Sequence, residues 1–220
     1  MGLVNRILSL FEGFNWLIIP AALLTIIFHE ISHGYVAYLL GDRTAKERGR
    51  LSLNPFHHLD IIGVLCMVVF GFGWAKPVPI NPYYFKNKKF GTVLVSLAGP
   101  GSNLIMATLS LFLVRLLLML SPENTVLVYS QILLAEFLVT FAVLNIGLAV
   151  FNLIPIPPLD GSKILFSILP NRAYRFILRF EQYGMLILII LINLPFFSNL
   201  LAFLRQWVFV GIQGLLDFII

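Results

Sequence analysis

The chain has 220 residues, of which 59% are hydrophobic and only 11% charged, with a mean hydropathy of +0.94. That balance excludes an ordinary soluble domain, and the net charge of +5 reads as a report of orientation in a membrane rather than as a nucleic-acid surface, for which no module is present. One cysteine, Cys66 beside Leu65 and Met67, excludes an intramolecular disulfide or a thiolate cluster and reads as an inert buried thiol.

Met1 to Phe14 is mixed in character and is followed by an apolar run without a cleavage site, so the first helix is expected to be mature structure rather than a signal peptide. Apolar windows at about 16–41, 91–120, 127–154 and 183–219 are each long enough to cross ~30 Å of hydrocarbon as a helix. They predict an all-α polytopic membrane protein in one integral domain, with a core over about 16–165 and C-terminal spans over about 180–220. Between the first two windows, "IIGVLCMVVFGFGW" (61–74) holds 14 residues broken by Gly63, Gly71 and Gly73, and is expected to dip in and return. Next to it, "AKPVPINPYYF" (75–85) is expected to be extended, a strand-like edge or polyproline geometry, because its prolines disfavour helix. Such an edge is suited to pairing with an unwound peptide. Farther on, Pro195 is expected to stop or kink the span begun by "MLILIILINL", and the segment 198–220 is either a packed return span or an interfacial helix.

Basic residues gather in three loops: Arg43, Lys46, Arg48 and Arg50; Lys76, Lys86, Lys88 and Lys89; Lys163, Arg172, Arg175 and Arg179. These are 12 of the 15 Lys and Arg, which places the three loops together on the cytoplasmic side. With 61–74 returning, the next helix runs outward, the turn "SPENT" (121–125) lies outside, and the helix at 127–154 runs back in.

Within the first window lies "FHEISHGYVAYLLGD", which places two histidines and a glutamate in apolar surroundings. Ionisable groups cost several kcal/mol there unless paired or hydrated. His29 and His33 are four residues apart, on one helix face, and can direct ring nitrogens at a single ion. Glu30 adjoins the first of them. This is the H-E-x-x-H arrangement, in which zinc lowers the pKa of its water to ~7 and the glutamate takes the proton. A catalytic zinc site usually has three protein ligands, and the candidates for the third are Asp160 in "NLIPIPPLDG" (152–161) and the pair His58 and Asp60 in "NPFHHLD". Asp160 follows the inward-running helix at the end nearer His33, and Pro155, Pro157 and Pro158 forbid a regular helix that would keep its carboxylate from folding inward. His57, His58 and Asp60 otherwise read as solvated loop residues, with a role in gating, substrate contact or support of the ligands as the alternative. In "LAGPGSNLIMA" (97–107), Gly99, Pro100 and Gly101 permit close helix approach, while Asn103 suits either an oxyanion contact or an interhelical hydrogen bond.

Together, "HEISH", "LAGPGSN" and "NLIPIPPLDG", in that order and spacing, resemble the site-2 protease family of intramembrane zinc metalloproteases, in a compact form without PDZ or CBS domains. The resemblance covers roughly Ala21 to Leu165. It implies a three-helix core in which His29, His33 and Asp160 bind one zinc ion per chain, Glu30 is the general base and Asn103 assists at the oxyanion. It also implies a multi-pass cell-membrane enzyme whose partners are the lipid bilayer and membrane-spanning protein substrates, cut to release a regulator. "GRLSLNPFHHLD" and "GWAKPVPINP" resemble a short subfamily in which the first stretch is followed by proline, where this chain has Ile61. The rival reading is a non-catalytic metal-binding or ion-conducting membrane protein built on the same cluster. A second, a prenyl-protein endopeptidase, calls for a later glutamate or histidine ligand where this chain offers Asp160.

Overall fold

The computed structural model describes residues 15–60, 62–63, 76–120, 124–169 and 183–219. Among them the secondary structure is helical. The long elements are α1 (Ile18–Leu39), α3 (Lys88–Leu118), α4 (Thr125–Asn152) and α7 (Pro195–Ile219), each long and apolar enough to cross a membrane. Short helices α2 (Thr44–Glu47), α5 (Asp160–Ile168) and α6 (Gly184–Ile192) connect or brace them. The fold is that of an all-helical membrane protein. Large apolar side chains such as Leu109, Leu113, Ile132 and Leu133 remain exposed on its outer faces, as lipid-facing positions require.

The bundle core follows from spacing by four. Ala21, Thr25, His29, His33 and Ala37 form a buried stripe along α1, and Val95, Gly99, Asn103, Ala107 and Leu111 a matching one along α3. Rows of this kind interdigitate when two helices cross, and α1 packs on both α3 and α4. Beyond the α1 contact, Ala107, Leu111, Ala142, Ile146 and Val150 close a hydrophobic cluster with Ile212 and Leu216 of α7. The C-terminal segment is therefore a packed helix. Two of its polar residues are engaged at the far end of α3, where the Arg115 guanidinium donates to Gln213 Oε1 at 2.6 Å and pairs with Asp217. Pro195 acts as a stop and restart: α6 ends at Ile192, nine residues long and too short to cross, and α7 begins at the proline itself.

Helix ends are set by local chemistry. Asn87 caps α3 by accepting from the Phe90 N–H, and Asn124 caps α4 by accepting from the Val126 N–H. After α4 the three prolines turn the chain back, and α5 starts at Asp160. Gly161 makes that turn possible, because a Cβ there would collide with the Leu153 and Ile154 carbonyls.

The expected re-entrant segment 61–74, Cys66 and the basic residues Arg172, Arg175 and Arg179 lie outside the described residues, Ile62 and Gly63 apart. From 76 to 81 the chain is extended, then makes a 3-10 turn over Pro82–Tyr84; of the edge and polyproline geometries that its prolines leave open, among the described residues it shows extended chain without strand pairing. The reason lies in its partners. Its donors and acceptors go to side chains and a loop carbonyl instead of to a second strand: Lys76 N–H to His58 O at 2.8 Å, Asn81 N–H to Asp42 Oδ2 at 2.6 Å, and the Lys76 and Pro77 carbonyls to Arg50 Nη2 at 2.6 and 3.2 Å. It is a strap tied across the end of α1.

Candidate metal centre

His33 lies six residues before the end of α1, and His29 one turn deeper. Asp160, at the first position of α5, is folded in against them, and all three are buried. His29 Nε2 and His33 Nε2 are 3.0 Å apart; Asp160 Oδ2 is 3.2 Å from the first and 3.0 Å from the second. Among the described residues this is the group of His, Cys, Asp or Glu side chains that can hold a metal ion.

The hydrogen bonds of the ring nitrogens decide how such an ion would be met. His33 Nδ1 donates to the Val95 carbonyl at 2.6 Å, and His29 Nδ1 donates to Asn103 Oδ1 at 2.7 Å. With each neutral ring's proton on Nδ1, both Nε2 atoms present lone pairs, and Asp160 Oδ2 adds a third. A single proton can satisfy one pair of these atoms at a time, whereas a dication satisfies all three. A tetrahedral zinc with bonds of ~2.0–2.1 Å separates its ligand atoms by ~3.3 Å, close to the spacing here. The residues present fit zinc in donor type, count and second-sphere support. Asp160 Oδ1 is held by Lys163 Nζ at 3.1 Å.

Gly99 supplies the room. A Cβ at this position would overlap the Nε2 and Cε1 atoms of His33 and the Cε1 atom of His29, so both rings lie directly on the backbone of α3. At Gly101 nothing lies within 4 Å, and the closeness expected of this motif belongs to Gly99 alone of the two glycines.

Glu30 follows the first ligand. Its Oε2 accepts from the Val78 N–H at 2.8 Å, so the strap fixes the carboxylate. A cavity of about 240 Å³ opens between strap and ligands, lined by His33, Val78, Ile80, Phe85, Val95 and Asp160 among others.

Asn103 is oriented otherwise than an oxyanion donor would be. Its Nδ2 donates to Asn145 Oδ1 at 2.8 Å and approaches the Thr25 carbonyl at 3.4 Å, while its oxygen serves His29. Here the amide is engaged at the helix interface, the interhelical bond that is one of its two expected roles. His58 and Asp60 do not join the cluster. His58 is 1% exposed and donates from Nε2 to the Ser52 carbonyl at 2.7 Å; Asp60 accepts from the Gly63 N–H at 2.9 Å; His57 donates to the Gly49 carbonyl at 2.9 Å. The burial of His58 departs from the solvated-loop expectation; the strap runs beside it, with the Lys76 N–H donating to its carbonyl at 2.8 Å. Asn145, Thr25, Arg50 and Val78 carried no motif signal: one polar residue in an apolar run or one main-chain N–H is invisible until the helices are packed.

The family model described as Peptidase family M50 matches residues 123–194. The chain is 41% identical over 188 residues to "Putative zinc metalloprotease YwhC" of Bacillus subtilis (strain 168), covering 84% of this chain and 85% of the relative. It is 32% identical over 205 residues to "Putative zinc metalloprotease Rip2" of Mycolicibacterium smegmatis, covering 90% and 75%. A relative in Methanocaldococcus jannaschii, "Putative zinc metalloprotease MJ0611", is 28% identical over 141 residues, or 63% of each chain. No solved structure matches the chain significantly.

Proposed function

Because the chain belongs to the site-2 protease family, peptidase family M50, we propose that it is a zinc-dependent endopeptidase that hydrolyses peptide bonds in or near the membrane-spanning segments of other membrane proteins. The observation that carries this reading is the convergence of His29 Nε2, His33 Nε2 and Asp160 Oδ2 within 3.2 Å, beside Glu30. Those three atoms would hold one zinc ion per chain. When bound, zinc supplies Lewis acidity that lowers the pKa of water to ~7 and polarises the scissile carbonyl.

The chain's own groups do the rest. Glu30 takes the proton of the attacking water on the carboxylate oxygen that Val78 does not engage, and returns it to the leaving amide nitrogen. Val78 keeps that carboxylate aimed. Asn103 holds the His29 ring with Nε2 toward the metal. A substrate helix hides its peptide bonds and must unwind locally, which glycine or proline in its sequence eases. The unwound stretch enters between strap and ligands, where the 240 Å³ cavity receives an apolar side chain. The site lies toward the helix ends that carry the basic loops, and Lys163, whose side chain is 50% exposed, marks the side from which water arrives. By the distribution of basic residues that side is cytoplasmic, and the enzyme is a multi-pass protein of the cell membrane. Its partners are a membrane-spanning protein substrate and the bilayer, with no nucleic acid, and the cleaved product is a regulator released to the cytoplasm.

The test is metal analysis joined to cleavage. Purified wild-type and His58→Ala proteins are expected to carry about one zinc per chain and Asp160→Ala close to none, since a catalytic site uses three protein ligands. In vesicles, the wild type should cut a reporter whose membrane-spanning helix contains glycine and proline, stop on chelation and resume with added zinc. Zinc-bearing protein that conducts ions and cuts no such reporter would favour the transport reading.

A further inference from the structure

Thr25, Asn103 and Asn145 are 3%, 0% and 0% exposed and belong to three different helices. Polar groups at this depth are tolerated when every donor and acceptor is used, and here their directions can be worked out from one fixed point. Asn145 Nδ2 lies 2.8 Å from the Phe141 carbonyl and 2.9 Å from Thr25 Oγ1. A main-chain carbonyl can only accept, so the nitrogen of Asn145 must face it and its Oδ1 must face α3. There Oδ1 accepts from Asn103 Nδ2 at 2.8 Å, which turns Asn103 Oδ1 toward His29 Nδ1 at 2.7 Å. An oxygen at that place demands a proton on Nδ1 and leaves the Nε2 lone pair for the metal.

If the Asn103 amide were reversed, its NH₂ would face His29 Nδ1, the ring proton would move to Nε2, and an N–H would point into the space between the three ligand atoms. His33 is not exposed to this choice, because a main-chain carbonyl, that of Val95, sets its tautomer directly. The two proposed histidine ligands are thus secured in different ways, one directly by backbone and one through the Asn103 side chain, whose nitrogen is held by Asn145 at 2.8 Å and lies 3.4 Å from the Thr25 carbonyl.

We propose that Asn145 is a positioning residue for metal binding: from α4, supported by Thr25, it fixes the amide of Asn103 and through it the tautomer of His29 that can ligate. This rests on the zinc reading of the site. Outer partners of metal-bound histidines typically change affinity 10–100-fold.

The test compares zinc dissociation constants by chelator competition on the full-length protein in detergent, at equal folded fraction. Asn145→Leu should weaken zinc binding roughly 10–100-fold. Asn145→Asp, neutral at this depth, keeps a carbonyl for Asn103 and a hydroxyl donor for Phe141, and should stay within about three-fold of wild type. Ser110→Ala is the control: Ser110 is equally buried on α3 but bonds only the Met106 carbonyl, and its loss should leave affinity unchanged. A folded Asn145→Leu protein with wild-type affinity overturns the proposal, as does an Asn145→Asp or Ser110→Ala protein weakened as much as Asn145→Leu. Should Asn145→Leu not fold, nitrogen-15 spectra of histidine-labelled, metal-free wild type decide: the Nδ1–H form of His29 is expected, and the Nε2–H form would overturn the relay. Wild type that binds no zinc would sink the protease reading, while the tautomer spectrum would still judge the relay separately.

Discussion

Adding one methyl group at Gly99 should strongly weaken zinc binding at the proposed site while leaving the helix intact. The ideal Cβ of an alanine at this position falls 2.5 Å from His29 Cε1 and 2.6 Å from His33 Cε1, and closer still to His33 Nε2. Relief to an ordinary van der Waals separation of 3.4 Å requires ring or helix displacement of roughly 0.8–1.0 Å. Metal sites tolerate about ±0.2 Å in ligand distance, so His29 and His33 would both be carried out of range. Altering an outer partner of one ligand typically costs 10–100-fold in affinity, and displacing two ligands should cost at least ~100-fold. Opposing this, alanine is favoured over glycine in a helix interior by ~1 kcal/mol, so helix content should not fall. Gly101→Ala is the matched control, two residues along the same helix with nothing within 4 Å. Zinc affinity by chelator competition and helix content by circular dichroism, measured on both variants, separate the effects. Gly99→Ala with wild-type zinc affinity would refute the packing of the rings on α3 from which the site was reasoned.

Glu30→Gln should keep zinc, because it alters none of the three ligand atoms and a glutamine oxygen can still accept from Val78; cleavage should fall by about 10²–10⁴-fold, the usual worth of a general base, read as turnover at matched zinc content. Asp160→Asn preserves shape but removes the charge that balances a dication, and should lower zinc occupancy while His58→Ala does not, as metal analysis of the purified proteins will tell. Arg50→Met cuts both bonds to the strap carbonyls, and hydrogen exchange at Val78 should accelerate while zinc content holds. An unchanged exchange rate would mean that Asp42 and His58 suffice to hold the strap.

Much of this site was legible because its chemistry is unusual for its surroundings. Two histidines and a glutamate within five residues of an apolar helix stand out by their cost, and helical spacing alone puts His29 and His33 on one face. Asp160 was reachable by topology, since the prolines before it end α4 near the depth of His33. Asn103 was visible as a residue but not as a role: the choice between oxyanion and interhelical bond depends on whether α4 presents a partner, and Asn145 sits in "FAVLNIGLAVFN" with nothing local to mark it. The burial of His58 was hidden for a similar reason. "NPFHHLD" reads as a solvated loop until the strap is known to lie against it. The extended character of 76–81 followed from Pro77 and Pro79, but its tertiary ties did not, because they run to Glu30, Asp42, Arg50 and His58, all distant in sequence.

The proposed metal ligands and the proposed base are held by separate parts of the structure, and this makes their proposed functions separable. His29 and His33 are oriented by α3, through Asn103 and the Val95 carbonyl, with Gly99 setting the distance. Glu30, one residue from His29 but turned about 100° around α1, is oriented by the strap through Val78. Motion of the strap can therefore re-aim the base without disturbing the ligands, while a shift of α3 against α1 disturbs the ligands first. The strap also forms a wall of the cavity, by way of Val78 and Ile80. Under the proposed function, a peptide occupying that cavity would touch the element that holds Glu30, so substrate entry and alignment of the base would be linked through Val78 while the three proposed ligand atoms are already together.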